Sequence, residues 1–318
     1  MNYIQQAYKG KNEWYHWLFT IIIVFFGWQV LGVLPLLMAA IGKSESTIQF
    51  AKFAKDNFTT AGLDKNLLLF LMLFMFLVGL IFLFIGIKYI HHRSFTSLVT
   101  SRAKIDWKRF FSGFFVWGIF AVVMTYASIL LAPENFIWNF NAIPFFTLVA
   151  ISFIFIPFQT GLEELLFRGY FMQGLGILAK NRWVPLLITS LVFGLLHGTN
   201  PEVAKLGQIT MVFYIGTGLF FGIVTLMDEG TEIALGLHAI NNIVAAFFVT
   251  TDWMVFQTNA LYIDTSEPSA SWEMFIPVFV LYPIMLFMFS KKYGWTNWKE
   301  KLTGKITIPE NLKETIQV

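Results

Sequence analysis

The sequence contains no cysteine and few charged residues. Only 13% of its 318 residues are Asp, Glu, Lys or Arg, about half the share expected in a soluble domain. The absence of cysteine excludes a thiol nucleophile, a thiolate metal site and a disulfide. The scarcity of charge, together with 57% hydrophobic residues that include 37 Phe, excludes a soluble globular protein.

The hydrophobic residues fall into long uncharged runs without an amphipathic period. Such runs are typical of lipid-spanning helices, because hydrocarbon offers the backbone no hydrogen-bond partner. They predict an all-α, polytopic membrane bundle of about eight transmembrane helices, in one integral membrane domain over residues 1–318. The predicted helices lie near 17–42, 67–87, 110–132, 144–178, 183–198, 206–227, 233–251 and 274–290.

Lys and Arg are distributed unevenly between the two ends of the predicted bundle. With a cytoplasmic N-terminus, seventeen of the 22 Lys and Arg lie in cytoplasmic segments, and five lie outside beside nine acidic residues. Cytoplasmic connections usually carry such an excess of Lys and Arg. We therefore expect a multi-pass protein of the plasma membrane with both termini in the cytoplasm. The net charge of +3 reflects this topology and does not indicate nucleic-acid binding.

Two adjacent glutamates and an arginine interrupt the fourth predicted helix. A charged side chain inside a bilayer is costly unless it is paired, so these residues need partners. Glu164 and Arg168 stand four residues apart, and this spacing predicts an ion pair on one helical face. Glu163 points about 100° away from Glu164 and has no predicted partner in its own helix. We therefore expect Glu163 to face a group on another helix.

Polar residues also interrupt two later helices. His197 ends the run Phe193-Gly194-Leu195-Leu196-His197, and His238 lies four residues before Asn242 on one helical face. A single membrane histidine is more often a hydrogen-bonding partner between helices than a catalyst. The combination of both histidines with Asn242 and Glu163 favours a shared functional site.

The depth of these residues in the membrane follows from their distance to the nearest turn. In a helical hairpin that turns near 180–182, Glu163 and His197 both lie ~22–26 Å from the turn. This requires the fourth helix to continue to about Leu178. His238 lies only ~14 Å from its own cytoplasmic turn, so it reaches the others only if helices tilt or the 180–182 turn projects below the membrane surface.

These side chains have the chemistry for amide hydrolysis. Glu163 and a neutral His197 can hold a water between them, with Glu163 as general base. His238 and Asn242 can donate hydrogen bonds to the oxyanion that develops. In a zinc-dependent alternative, Glu163, His197 and His238 are the metal ligands. The compact His-Glu-x-x-His helix of soluble metalloproteases is absent, and we favour the arrangement without a cofactor.

The motifs Glu163-Glu164-x-x-x-Arg168, Phe193-x-x-x-His197 and His238-x-x-x-Asn242 follow one another on successive predicted helices. In this order they resemble the motifs of the CAAX protease and bacteriocin-processing (CPBP, or Abi) family, over residues 163–242. The resemblance implies a bundle around an intramembrane cavity. It implies that Glu163 and His197 activate water, that His238 and Asn242 form the oxyanion site, and that Glu164, Arg168 and Phe193 support it.

The function implied by the resemblance is that of an intramembrane endopeptidase. Its expected partners are the lipid bilayer and a membrane-associated peptide or protein substrate, prenylated or not. Two other classes remain open at this point. One is a transporter in which Glu163, His197 and His238 relay ions or protons. The other is an immunity or scaffold protein without catalytic activity.

Overall fold

The computed structural model describes residues 1–270, 272–310 and 312. Within them, six helices are long and apolar enough to cross a membrane, and two apolar helices are shorter. We number them α1 (Trp14–Ile41), α2 (Lys65–Ile90), α3 (Trp107–Leu131), α4 (Ala142–Ala179), α5 (Trp183–Thr199), α6 (Gln208–Asp228), α7 (Glu232–Phe247) and α8 (Trp272–Tyr293). The predicted polytopic helical membrane bundle is confirmed, and the predicted domain over 1–318 also includes positions 271, 311 and 313–318, which lie outside the described residues.

Short elements occupy the connections. The helical ones are Ile4–Lys9, Thr47–Lys55, Thr96–Val99, Pro133–Asn135, Pro201–Leu206 and Trp298–Thr303. A small sheet, which the all-α prediction did not include, consists of β1 (Phe136–Trp138), β2 (Val249–Thr250) and β3 (Tyr262–Asp264) in the order β1-β3-β2. β3 pairs antiparallel with β1, with Ile137 opposite Ile263, and parallel with β2. The sheet therefore joins the α3–α4 connection to the α7–α8 connection.

The core of the bundle is built around α7. Two glycines let α7 approach α3 closely: a Cβ at Gly236 would lie 2.0 Å from the carbonyl oxygen of Phe110, and one at Gly113 would lie 2.4 Å from that of Ile233. Ile233 and Leu237 of α7 are fully or almost fully buried. This packing holds α7 firmly in the bundle, which matters because α7 carries His238 and Asn242.

Helix α4 changes its geometry at the charged motif. Ala142–Glu164 is α-helical and contains Pro157, whereas Leu165–Phe171 forms π-helical turns. π-Helical turns are rare in proteins, and those that occur often lie at functional sites. α4 then continues to Ala179, as the hairpin prediction required, and Lys180 turns the chain with a φ of 55°.

One end of the bundle, here called the terminal end, is closed by ion pairs. It comprises the segments 1–13, 91–106, 180–182, 229–231 and 294–310. Glu229 accepts hydrogen bonds from Arg182 Nη1 at 3.1 Å, from Lys301 Nζ at 2.9 Å and from the backbone N–H of Tyr3 at 2.5 Å. Burial raises the pKa of the Glu229 carboxyl, but Arg182 and Lys301 more than offset this and hold the pKa below its usual value.

The opposite end, here called the loop end, holds the other four connections. These are the α1–α2 (42–64), α3–α4 (132–141), α5–α6 (200–207) and α7–α8 (248–271) connections. The small sheet links two of them, and the Asn139 side chain donates to the carbonyl of Ala260 at 3.0 Å. The two ends therefore differ: ion pairs close the terminal end, and loops cover the loop end.

Candidate active site

A cavity of about 460 Å³ lies inside the bundle. Its lining includes all four candidate catalytic residues, Glu163 from α4, His197 from α5, and His238 and Asn242 from α7. Most of the remaining lining is apolar and aromatic, contributed by α2, α3, α6 and α8. The fold thus brings three separate sequence motifs to one cavity.

Glu163 is the more accessible of the two adjacent glutamates. Its side chain is 16% exposed, whereas that of Glu164 is 0% exposed. Oε1 of Glu163 accepts a hydrogen bond from Gln159 Nε2 at 2.7 Å, and Oε2 has no hydrogen-bond partner among the residues that the structure describes. The prediction that Glu163 has no partner in its own helix is therefore wrong, because Gln159 lies one turn earlier in α4. The second oxygen remains available.

The predicted pairing of Glu164 with Arg168 is confirmed. Arg168 Nη1 donates to Glu164 Oε1 at 2.9 Å, and both side chains are fully buried. Arg168 also donates from Nη2 to the carbonyl oxygen of Gly218 at 3.1 Å, and its guanidinium lies 4.1 Å from the ring centroid of Phe193. Phe193 therefore supports the pair through its aromatic face.

His238 contacts both glutamates. Its Nδ1 lies 2.9 Å from Glu164 Oε1, and its Nε2 lies 3.5 Å from Glu163 Oε2. The pairing with Arg168 alone suggested that Glu164 is separate from the candidate catalytic residues. Its contact with His238 contradicts this, because Glu164 orients the His238 ring. The shallow position expected for His238 does not prevent convergence with Glu163 on the cavity.

His197 lies where α5 tightens into its last, 3₁₀-helical turn. Nδ1 contacts the carbonyl oxygen of Phe193 at 2.8 Å, so the N–H at Nδ1 donates to it and the neutral ring keeps its lone pair at Nε2. The ring stacks on Tyr214 with centroids 4.5 Å apart and planes 20° apart. His197 makes no direct hydrogen bond to Glu163 in the described part of the chain, and the two residues meet only as parts of one cavity wall.

A series of hydrogen bonds that the sequence did not predict positions Asn242. Trp117 Nε1 donates to Asn241 Oδ1 at 3.0 Å, and Asn241 Nδ2 donates to Asn242 Oδ1 at 3.0 Å. Asn242 Nδ2 in turn donates to Gln159 Oε1 at 3.1 Å. The available sequence signals were weak: Gln159 precedes Glu163 by one helical turn, and Asn241 adjoins Asn242.

A second polar group, also missed, borders the cavity beside His197. Glu202 accepts hydrogen bonds from the hydroxyl of Tyr214 and from Asn200 Nδ2, the latter at 3.0 Å. Its other oxygen, Oε2, is buried without a partner. All three side chains line the cavity. Glu202 therefore adds a second carboxylate to the cavity and anchors the tyrosine on which His197 stacks.

The zinc-dependent alternative has Glu163, His197 and His238 as its metal ligands. Among the described residues, no group of three or more His, Asp or Glu side chains is placed to hold a metal ion. The Nδ1 atoms of both histidines are engaged, with Phe193 and with Glu164, which leaves Nε2 of each ring as the atom that could bind a metal ion.

Comparison with known proteins finds one family model and a relative. A family model described as type II CAAX prenyl endopeptidase Rce1-like matches residues 142–244, which include all of the candidate catalytic residues. The chain is also 28% identical to the uncharacterized protein YyaK of Bacillus subtilis (strain 168) over 287 residues, which cover 88% of this chain and 93% of YyaK. No solved structure matches the chain.

Proposed function

We propose that the chain is a CAAX-type intramembrane protease of the CPBP family, as the Rce1-like match over residues 142–244 supports, and that it cleaves a peptide bond of a membrane-associated peptide or protein by water attack from Glu163. The observation that supports this proposal is the convergence of Glu163, His197, His238 and Asn242 on one cavity. Oε2 of Glu163 lies 3.5 Å from His238 Nε2 and accepts no hydrogen bond within the described residues; it is the proton acceptor in this proposal.

In the first step, Glu163 acts as general base. A water between Glu163 Oε2 and the free Nε2 of His197 gives its proton to Glu163 while its oxygen attacks the carbonyl carbon. Gln159 occupies the other oxygen of Glu163, which directs Oε2 to the water. The product of this step is a tetrahedral intermediate with a negatively charged oxygen.

In the second step, the intermediate collapses. Asn242 Nδ2 and, when the ring carries both protons, the Nε2–H of His238 donate to the oxyanion. The carbon–nitrogen bond then breaks, and Glu163 returns its proton to the leaving nitrogen, so that a carboxylic acid and an amine are formed. Glu164 supports this step by holding His238 at Nδ1.

We also propose that the protein lies in the plasma membrane with its termini in the cytoplasm. The terminal end carries the arginine and lysine residues of the ion-pair cluster, among them Arg102, Arg182 and Lys301. Basic residues are enriched at cytoplasmic ends of membrane helices. The six membrane-spanning helices support the multi-pass location.

The test begins with the substrate. Membrane peptides that accumulate in cells with Glu163→Gln, and that are shortened in wild-type cells, define the cleaved bond by mass spectrometry. A fluorogenic peptide spanning that bond then measures cleavage by the purified protein. We expect Glu163→Gln and His197→Ala each to lower kcat/KM by about 10²–10⁴-fold, while Glu45→Gln in the exposed α1–α2 connection leaves it unchanged.

Wild-type activity of correctly inserted Glu163→Gln would overturn the proposal. Two further measurements refine it. Activity that survives dialysis against EDTA supports the metal-free mechanism, whereas loss of activity that Zn²⁺ restores would contradict it. Matched peptides with and without a prenyl group show whether the substrate is lipidated.

A further inference from the structure

The cavity extends towards only one end of the bundle. Asn200 from the α5–α6 connection and Met254 from the α7–α8 connection belong to its lining, and both connections lie at the loop end. Met254 is 38% exposed. None of the residues that pair with Glu229 at the terminal end lines the cavity. The described lining therefore reaches the surface at the loop end.

On the opposite side, the cavity has a closed floor. Glu164 and Arg168 are fully buried next to it, and the guanidinium of Arg168 lies 4.1 Å from the ring of Phe193 and 5.5 Å from that of Phe221. Leu165, which follows Glu164 in the π-helical turns, is buried as well. A peptide cannot reach Glu163 from the terminal end without displacing this packed layer.

The charges identify the side of the membrane on which each end lies. The loop end, together with the adjoining first residues of α2 and α8, carries only five of the 22 basic residues and nine acidic residues. The basic ones are Lys43, Lys52, Lys55, Lys65 and Lys205. A low count of Lys and Arg is typical of extracytoplasmic connections. This charge distribution favours an extracytoplasmic position of the loop end.

We infer that the active-site cavity opens to the extracytoplasmic side of the membrane. Resting on the proposed function, this inference also names the substrate class: a peptide segment that lies outside the cytoplasm or in the outer leaflet, such as part of an exported peptide. The packed layer around Arg168 separates Glu163 from the terminal end, so we expect the substrate to enter the cavity from the loop end.

The natural absence of cysteine permits a direct test. Single cysteines are introduced at Ala245, an exposed position of the cavity wall next to Asn242, and at Met254 on the rim. Thr47→Cys marks the loop end and Lys104→Cys marks the terminal end, and both positions are exposed. A membrane-impermeant maleimide is added to intact cells and, separately, to inside-out vesicles.

We expect Ala245→Cys and Met254→Cys to follow Thr47→Cys, with at least about tenfold more labelling in intact cells than in inside-out vesicles. Lys104→Cys should show the reverse, and the wild-type chain should not react. Labelling of Ala245→Cys from the cytoplasmic side only, or by a membrane-permeant maleimide only, would overturn the inference.

The labelling result does not depend on catalysis. Repeating it with Glu163→Gln in the same chains should give the same pattern. Extracytoplasmic labelling of a protein without peptidase activity would reject the proposed function and keep the opening. Peptidase activity combined with cytoplasmic labelling would reject the opening and keep the proposed function.

Discussion

Gln159 lies beside Glu163 on α4 and donates from Nε2 to Glu163 Oε1 at 2.7 Å. The carbonyl oxygen of the same amide accepts from Asn242 Nδ2 at 3.1 Å. One side chain therefore positions both the proposed base and the proposed oxyanion donor. Its two hydrogen bonds fix how the amide is oriented, because the donor must face the carboxylate.

Replacement of Gln159 by Leu is predicted to lower kcat by roughly 10–100-fold while KM changes little. The reason is that Gln159 acts through Glu163 and Asn242, and small displacements of catalytic groups are costly. Steady-state kinetics on the identified peptide measure both constants. Gln257→Leu, in the exposed part of the α7–α8 connection, is the matched control. An unchanged kcat for Gln159→Leu would show that the positioning role is absent.

Replacement of Arg168 by Met is predicted to destabilise the protein by about 3–5 kcal/mol, because it leaves Glu164 as a buried charge without its guanidinium partner. Thermal denaturation in detergent provides the comparison with wild type. The double variant Arg168→Met with Glu164→Gln should recover part of the loss, since it removes the uncompensated charge. A single variant as stable as wild type would contradict this prediction.

The charge of the cavity predicts a preference among substrates. The carboxylates of Glu163 and Glu202 line it, and no Lys or Arg occurs in its described lining. We therefore expect peptides with Lys or Arg near the scissile bond to be cleaved in preference to peptides with Asp or Glu. Glu202→Gln should reduce the ratio of the two kcat/KM values by about tenfold, equivalent to ~1.4 kcal/mol.

The control for this prediction is Glu134→Gln, because Glu134 lies at the loop end outside the cavity lining. It should leave the ratio unchanged. Equal ratios for wild type and Glu202→Gln, measured on one pair of peptides that differ in a single residue, would exclude a role of Glu202 in selectivity.

His91 at the terminal end predicts a loss of stability in acid. Its Nδ1–H donates to the carbonyl of Lys11 at 2.7 Å, and Nε2 lies 2.9 Å from the Tyr170 hydroxyl. Burial, with a further contribution from Arg93, lowers the pKa of His91 to about 4. Because the unfolded value is about 6.5, the contribution is fully present above pH ~6.5 and is lost as the pH falls towards 4.

The free energy of unfolding is expected to fall by up to about 3 kcal/mol over this range. His91→Gln should flatten the pH dependence of thermal stability between pH ~6.5 and ~4, whereas His92→Gln at the exposed neighbouring position should retain it. Identical pH profiles for His91→Gln and wild type would refute the assignment.

The spacing of charged residues along the sequence predicted part of this site correctly. The pair Glu164–Arg168 follows from a separation of four residues, and the strong hydropathy contrast of the uncharged runs indicated the membrane helices. The contact of His238 with Glu164 could not be predicted in this way. It depends on how far α7 is rotated and shifted against α4, and no spacing within either helix carries that information.

The neutral polar residues of the site were also not predicted from the sequence. Gln159 and Asn241 carry no charge, so they do not stand out in a membrane helix as Glu163 does, although they connect Glu163 to Asn242. The small sheet was missed because its strands have only two or three residues, too few for a recognisable alternation.

The ion-pair cluster around Glu229 has a consequence for biogenesis. Tyr3 leaves the ribosome more than two hundred residues before its partner Glu229, and Lys301 emerges later still. The ion-pair cluster at the terminal end can therefore form only after most helices have been inserted. Until then, the helices that are inserted first lie in the bilayer without these ion pairs and are accessible to insertion chaperones and to quality-control proteases.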